Sequence, residues 1–284
     1  MPVPRLSIVI VSWNVRELLS RCLSSVITYG PSGTQIIVVD NASSDGSADL
    51  VQQKYPTVEV IKNSRNVGFA AGTNQGLAVA TGEFILLLNP DTEIRDDAIS
   101  PLIDFLTTQQ RVAAIGPELL NPDSTHQVSV RRFPQLRDQF FVLMKMRRLE
   151  RFIPALRRYY AEPPAGTPIA VDQIMGAAML IPRAALTALG PLDDGFPNWF
   201  EEVDWCRRAH ARGWRIMYAP ISQVVHHGGS SFNQILSIAK HRWMLRGLLR
   251  YARRWWPTWQ YPIVLVLAGV SYLLTVLQTI IKPR

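Results

Sequence analysis

Trp199-Phe200-Glu201-Glu202-Val203-Asp204 packs three carboxylates into four positions. Like charges this close raise one another's pKa, which is one way to keep a carboxylate basic near neutrality. Arg207 and Arg208 follow at one helical turn and offset the repulsion. The same run also suits the acidic first turn of a helix. A second cluster, Asn89-Pro90-Asp91-Thr92-Glu93, follows the apolar run Phe84 to Leu88. A carboxylate there suits a divalent metal carrying a phosphate, or equally the cap of a helix from Asp96. His226-His227, ahead of Gly228-Gly229-Ser230-Ser231, supplies imidazoles that could complete a site begun at Asp91. Asp40-Asn41 offers acceptors for a ribose or a base edge, or forms an Asx turn. In Arg65 to Asn74, Gly68 and Gly72 permit close backbone approach, and Asn66 and Asn74 carry donors and acceptors. That combination suits the nucleotide of an activated donor, and also an Asn-capped helix.

These groups need rigid elements behind them. Leu6 to Val11 reads as a buried strand ending in Ser12-Trp13-Asn14, and Gln35 to Val39 as a second strand delivering Asp40. Val58 to Lys62 is a third, and Phe84 to Leu88 a fourth that is too short for a buried helix. Pro90 cannot continue a central ladder, so Asp91 falls at a strand's carboxyl end, where open α/β sheets bind ligands. Helical spacing marks Leu18 to Ile27, Asp49 to Lys54 and Asp96 to Gln109, and Asn66 to Gly76 reads as a glycine-rich loop opening a short helix. The alternation predicts an α/β, doubly wound nucleotide-binding layer. No GxGxxG follows the first strand, which disfavours a dinucleotide fold of the usual kind. Further on, Ala113 to Gly116, Val171 to Ile181, Ile216 to Ala219 and Val224-Val225 read as strands. Arg131 to Tyr160 is basic, aromatic and partly helical, and Phe196 to Arg212 passes from loop to helix.

The chain has 284 residues, 48% of them apolar, and a net charge of +8. Two distant cysteines, Cys22 and Cys206, indicate neither a disulfide framework nor a zinc site. Ser7 to Val11 is strand-like and not the apolar core of a signal peptide. Twelve lysines and arginines, and no acidic residue, follow Asp204. Such a tail points to nucleic acid, an anionic membrane or anionic substrate groups. The uncharged run Ile263 to Ile281, flanked by Arg253-Arg254-Trp255-Trp256, favours the membrane. It spans the bilayer, lies in the interface as a continuation of the basic amphipathic stretch Ile238 to Trp256, or is a buried helix of a soluble domain. Either membrane reading puts the catalytic part on the cytoplasmic side.

Taken in order, strand-SWN, VVDNASSDGS, NVGFAAGTNQG, LLLNPDT, MGAAMLIPR, WFEEVDWCRRAHARGW and HHGGSS resemble the family 2 glycosyltransferases, rhamnosyltransferase-type members above all. The resemblance covers Leu6 to about Phe232. It implies a GT-A fold over residues 1–232, with a nucleotide half to about 115, an acceptor half from 116, and a membrane-anchoring tail over 233–284. It implies inverting transfer of rhamnose or a related deoxysugar, or alternatively of another hexose or an N-acetylhexosamine, from a dTDP- or UDP-linked donor to a lipid-linked or glycan acceptor, with no nucleic acid involved. Ser12, Trp13, Asn14, Asp40, Asn41, Asn66, Gly68, Phe69, Asn74 and Asn89 would line the nucleotide sugar. Asp91 and His226 would hold Mg²⁺ or Mn²⁺, with Asn89 standing where the family's metal motif has its first acidic residue. The base maps to Glu202, where Asp is usual, and Asp204 is the second candidate. A nucleotidyltransferase would want a basic glycine-rich loop in place of SWNVRELL. A non-catalytic binding protein would leave Asp40, Asp91 and Glu202 without a role.

Overall fold

The computed structural model describes residues 4–146, 159–160, 166–228 and 237–281. β1 (Leu6–Ser12), β2 (Gln35–Asp40), β3 (Glu59–Lys62) and β4 (Phe84–Leu88) are parallel neighbours in the order β3-β2-β1-β4. The crossovers are α1 (Arg16–Tyr29), α2 (Ser47–Lys54) and α3 (Phe69–Val79). β1 and β4 are apolar without alternation because helices cover both faces of the sheet. Ile8 and Ile10 point into a core with α1, while Val9 and Val11 point into one with α3.

Past β4 the sheet turns mixed, which the strand pattern alone did not reveal. After β5 (Thr92–Glu93) and α4 (Ser100–Thr107) come β6 (Val112–Leu120), β7 (His126–Gln127), β8 (Val130–Arg131) and α5 (Leu136–Leu143). Then follow β9 (Ile169–Val171), β10 (Gln173–Ile174), β11 (Ala178–Pro182), α6 (Arg183–Leu189), α7 (Glu201–Ala211) and β12 (Arg215–His226). β11 lies antiparallel between β4 and β6, and the sheet ends β6-β12-β5. β8 and β10 pair as a separate small ribbon.

Several expectations need correcting. The helix expected from Asp96 starts at Ser100, where Pro101 at the first turn suits a helix start and Asp97 accepts the Ser100 N–H. The glycine-rich stretch is helix from Phe69 onward, and Gly72 and Gly76 face the sheet: a Cβ on Gly76 would collide with Val9. Val171 to Ile181 is three short strands, interrupted where the Asp172 side chain leaves to accept the Phe133 N–H. The two strands expected after Ile216 are one, with an irregularity between Tyr218 and Gln223. Within Arg131 to Tyr160, α5 is the helix among the described residues; residues 147–158 lie outside them, as do Gly229 to Ser231 of HHGGSS.

The basic stretch forms α8 (Ser237–Trp255) and the apolar run forms α9 (Gln260–Ile281), packed as a hairpin. α8 is no loose tail, because Leu245, Leu248, Tyr251 and Ala252 belong to the same core as α7. Arg250 binds Asp193 through two nitrogens, and Trp256 Nε1 donates to Pro134 O at 2.9 Å.

Candidate active site

The carboxyl ends of β2, β1 and β4 lie side by side. Ser12 pairs with Asp40 in register, and the Asn41 N–H donates to Ser12 O at 2.8 Å. Asp40 Oδ2 accepts the Ser43 N–H at 3.0 Å, while Oδ1 is buried without a hydrogen-bond partner among the described residues. A buried carboxylate oxygen left in this way costs free energy until a ligand donates to it. Asp40 also lines a cavity of about 310 Å³ with Ser43, Asp49, Lys62 and Asn63, large enough for a planar base and its ribose. Asn14, held at φ 52°, accepts from the Ser44 N–H and so ties the first loop to the second. Trp13 is half-buried beside it.

Other expected nucleotide ligands have structural work. Asn41 Nδ2 donates to Gly68 O and its Oδ1 accepts from Asn63, clamping β2 to the start of α3. Asn74 exchanges two hydrogen bonds with the Leu192 backbone. Phe69 packs on the core. Asn66 Oδ1 accepts the Gly68 N–H, which fixes the left-handed turn at Gly68. Asn66 and Asn74 line a groove of about 740 Å³ with Arg65 and Asp194.

The cluster after β4 is closed by His226, the expected partner, and oriented by Gln127, which the sequence did not signal. β5 pairs antiparallel with the end of β12, setting His226 opposite Thr92. His226 Nε2 lies 3.3 Å from Asp91 Oδ1 and 3.4 Å from Asn89 Nδ2. Gln127 fixes the tautomer. Its Nε2 donates to Asn121 Oδ1 and to His226 O, so its Oε1 must be the end that accepts His226 Nδ1–H at 2.7 Å. The neutral ring then carries its lone pair on Nε2, facing a carboxylate oxygen. A proton or a metal cation between them relieves that repulsion. Two ligands of one octahedral Mg²⁺ or Mn²⁺ stand about 3 Å apart, so the donor set fits such a cation. Among the described residues no group of three His, Cys, Asp or Glu forms a complete cage. One or two protein ligands with phosphate oxygens making up the rest is the usual way Mg²⁺ is held.

The third cluster connects to the Asn89 turn through Gly176-Ala177. The Asn89 N–H donates to Ala177 O at 2.9 Å, and a Cβ placed on neighbouring Gly176 would lie 3.7 Å from Glu202 Cβ. Gly176-Ala177, the small-residue centre of MGAAMLIPR, is thus the bridge between the Asn89 turn and α7. α7 is entered through Trp199 and Phe200, both left-handed at φ 63° and 75°. For bulky residues that conformation costs about 1–2 kcal/mol each, and such strain gathers at functional sites. The Glu201 carboxyl helps to hold the turn by accepting the Trp199 N–H. Burial first, and then the charge of Glu202, pushes the Glu201 pKa well above the ordinary range. Half-buried Glu202 is also raised, by burial, and Arg131 on β8 opposes the rise. Tyr159, nearby, is pushed up to about 12 by burial. Asp204 points elsewhere. It is fully buried, and its oxygens accept from Arg208 Nε at 3.0 Å, Trp255 Nε1 at 2.8 Å and Arg254 Nη1 at 3.3 Å. It ties α7 to α8.

Comparison with known proteins gives this geometry its context. Residues 7–163 match Glycosyl transferase family 2. The chain is 26% identical over 239 residues to an N-acetylglucosaminyl-diphospho-decaprenol L-rhamnosyltransferase of Mycobacterium tuberculosis, across 80% of this chain and 77% of that one. It is 26% identical over 259 residues to the rhamnosyltransferase WbbL of Escherichia coli, across 87% and 92%. The solved mannosyltransferase PcManGT of Pyrobaculum calidifontis, in complex with GDP-Man and Mn²⁺, superposes with a TM-score of 0.59 at 16% identity. That superposition spans 99% of this chain and 76% of the other, and it speaks for the GT-A fold. The family match covers more than half of the sequence, and the protein belongs to the family 2 glycosyltransferases.

Proposed function

We propose that this enzyme transfers rhamnose or a related deoxysugar, with inversion, from a dTDP- or UDP-linked donor to a lipid-linked or glycan acceptor at the cytoplasmic face of a membrane. The observation that carries the reading is the pairing of Asp91 with a His226 whose Nε2 lone pair is fixed by Gln127, one bridge away from Glu202. The sugar class is supported by two rhamnosyltransferases among the relatives.

In this scheme Asp40 Oδ1 accepts from the base or ribose of the donor, in the cavity beside Ser43 and Lys62. Asn89, Asp91 and His226 lie where the diphosphate arrives. A divalent cation held by Asp91 and His226 would offset the negative charge that develops on the departing nucleoside diphosphate. Glu202 takes the proton of the acceptor hydroxyl. That oxygen bonds to the anomeric carbon as the bond to the diphosphate oxygen breaks, and a single displacement inverts the centre. Asp204 keeps its bonds to Arg208 and Trp255 and takes no part in proton transfer. The raised carboxyl range of Glu202 suits a base working near neutral pH. α9 is long and apolar enough to cross a membrane, and it serves here to bring the site to an acceptor with a lipid tail.

The test is a panel of dTDP-, UDP- and GDP-sugars offered to the purified enzyme with a polyprenyl-diphospho-sugar acceptor. Turnover of dTDP-rhamnose that is lost in EDTA and restored by Mg²⁺ or Mn²⁺, with an inverted product, is the expected result. Equal turnover in EDTA, or a retained anomeric configuration, contradicts the mechanism.

A further inference from the structure

One stripe of α9, Val264, Ala268, Ser271 and Thr275, is buried at single-face spacing. Polar bonds fix that stripe to the rest of the protein. Ser271 Oγ donates to Leu143 O of α5 at 2.8 Å and accepts from His241 Nε2 of α8 at 3.1 Å. Lys145, just beyond α5, donates to Gln278 Oε1. The opposite face presents Ile263, Val266, Val270, Leu273, Leu277 and Ile280, all exposed, over about 26 Å.

Ser271 stands at the middle of α9. A helix that crosses a bilayer carries its middle to the centre of the hydrocarbon. Here it would drag His241, the end of α5 and Lys145 with it, and polar or charged groups at that depth are costly. A helix held to its own domain along one whole side is built instead to lie flat, with the apolar side outward.

The chemistry of the surface beneath it is given by α8. Arg242, Arg246 and Arg253 are exposed and fall on one helical face, opposite Leu248 and Tyr251 in the core. No ion pair among the described residues engages them. At the corner between the helices Trp259 is exposed, while the indoles of Trp255 and Trp256 are bound inward to Asp204 and Pro134. Tryptophans gather where headgroups meet acyl chains. We infer that α9 lies in the plane of an anionic lipid leaflet, its outer stripe among the acyl chains and the α8 arginines against acidic headgroups, and does not cross the bilayer. This rests on the proposed membrane association and adds its mode and its lipid class.

The experiment adds the full-length protein to preformed vesicles of phosphatidylcholine with or without phosphatidylglycerol. Flotation with the anionic vesicles is expected, with partition about a hundredfold weaker for the triple variant Arg242→Ser, Arg246→Ser, Arg253→Ser. The mode is read from Thr258→Cys and Thr279→Cys, at either end of α9, with a membrane-impermeant maleimide added outside. Cys22 and Cys206 are buried and stay silent. Both introduced thiols should react in intact vesicles. Reaction of Thr279→Cys only after permeabilisation would mean a spanning helix and overturn the inference while leaving membrane association standing. Failure to float with either vesicle, or a lipid-free dimer that buries the stripe against a second copy, overturns both. Undiminished partition of the triple variant refutes the anionic-lipid contact.

Discussion

His226 works in this account only because of which of its nitrogens carries the proton, and that is decided by Gln127. Gln127→Leu removes the acceptor that holds Nδ1–H and frees the ring to turn, so Mn²⁺ affinity in the presence of a nucleoside diphosphate should fall about 10–100-fold. Titration calorimetry checks this, and an unchanged affinity would mean that the second ligand is elsewhere. Glu202 must lose its proton before it can accept one. Burial holds its pKa above the free-glutamate value of about 4.3. Transfer should therefore rise with pH through an apparent pKa above that value. Arg131→Gln, which removes the charge opposing the rise, should move the acid limb further up. The apparent value belongs to the Glu201–Glu202 pair jointly. Stability runs the other way. Carboxyls with raised folded-state pKa values bind protons more tightly in the native state, so folding stability drops as pH climbs from the unfolded carboxyl range through the folded one. Glu201→Gln keeps an acceptor for the Trp199 N–H, and thermal unfolding across pH should show a shallower decline.

Among the elements, α3 and α7 do the positioning, by different means. α3 approaches the sheet through Gly72 and Gly76, and Gly76→Ala, which sets a methyl against Val9, should cost about 1–3 kcal/mol in denaturant unfolding. α7 starts from a strained turn, held against α8 by the close approach of Gly247 to Trp199 O and by the Asp204 bonds. Asp204→Ala leaves Arg208 and Trp255 without their buried partner and should cost about 3 kcal/mol, with donor affinity of the folded fraction unchanged. β1, β2 and β4 were legible in the sequence as short, largely apolar runs cut off by polar residues, at Ser12, Asp40 and Asn89, and β3, only Glu-Val-Ile-Lys, by its place in the strand–helix alternation. The antiparallel insertion of β11 was not, since an apolar run carries no record of its direction. Gln127 escaped for a similar reason: a two-residue strand has no period, and the residue's importance comes only from lying across from His226. Asn41 and Asn74 are of types that suit a ligand, and the same amides also suit packing, which is the work the structure shows them doing.

At the scale of the molecule, one mixed sheet brings Asp40, Asp91 and His226 to a single rim, and Gly176-Ala177 links the Asn89 turn there to Glu202 on α7. α8 and α9 belong to this body rather than trailing from it. Removing residues 257–284 should abolish vesicle flotation and strip α5 and α8 of the partner that Ser271 supplies to Leu143 O and His241, seen as a lower Tm as well as a soluble protein. The central claim is that Glu202 is the base of a sugar transfer whose donor is held elsewhere on the rim. Single-turnover transfer by Glu202→Gln, with donor affinity measured on the same sample, tests it most directly. The account predicts unchanged donor binding and transfer slowed by about 10²–10⁴-fold. Transfer near the wild-type rate would contradict it.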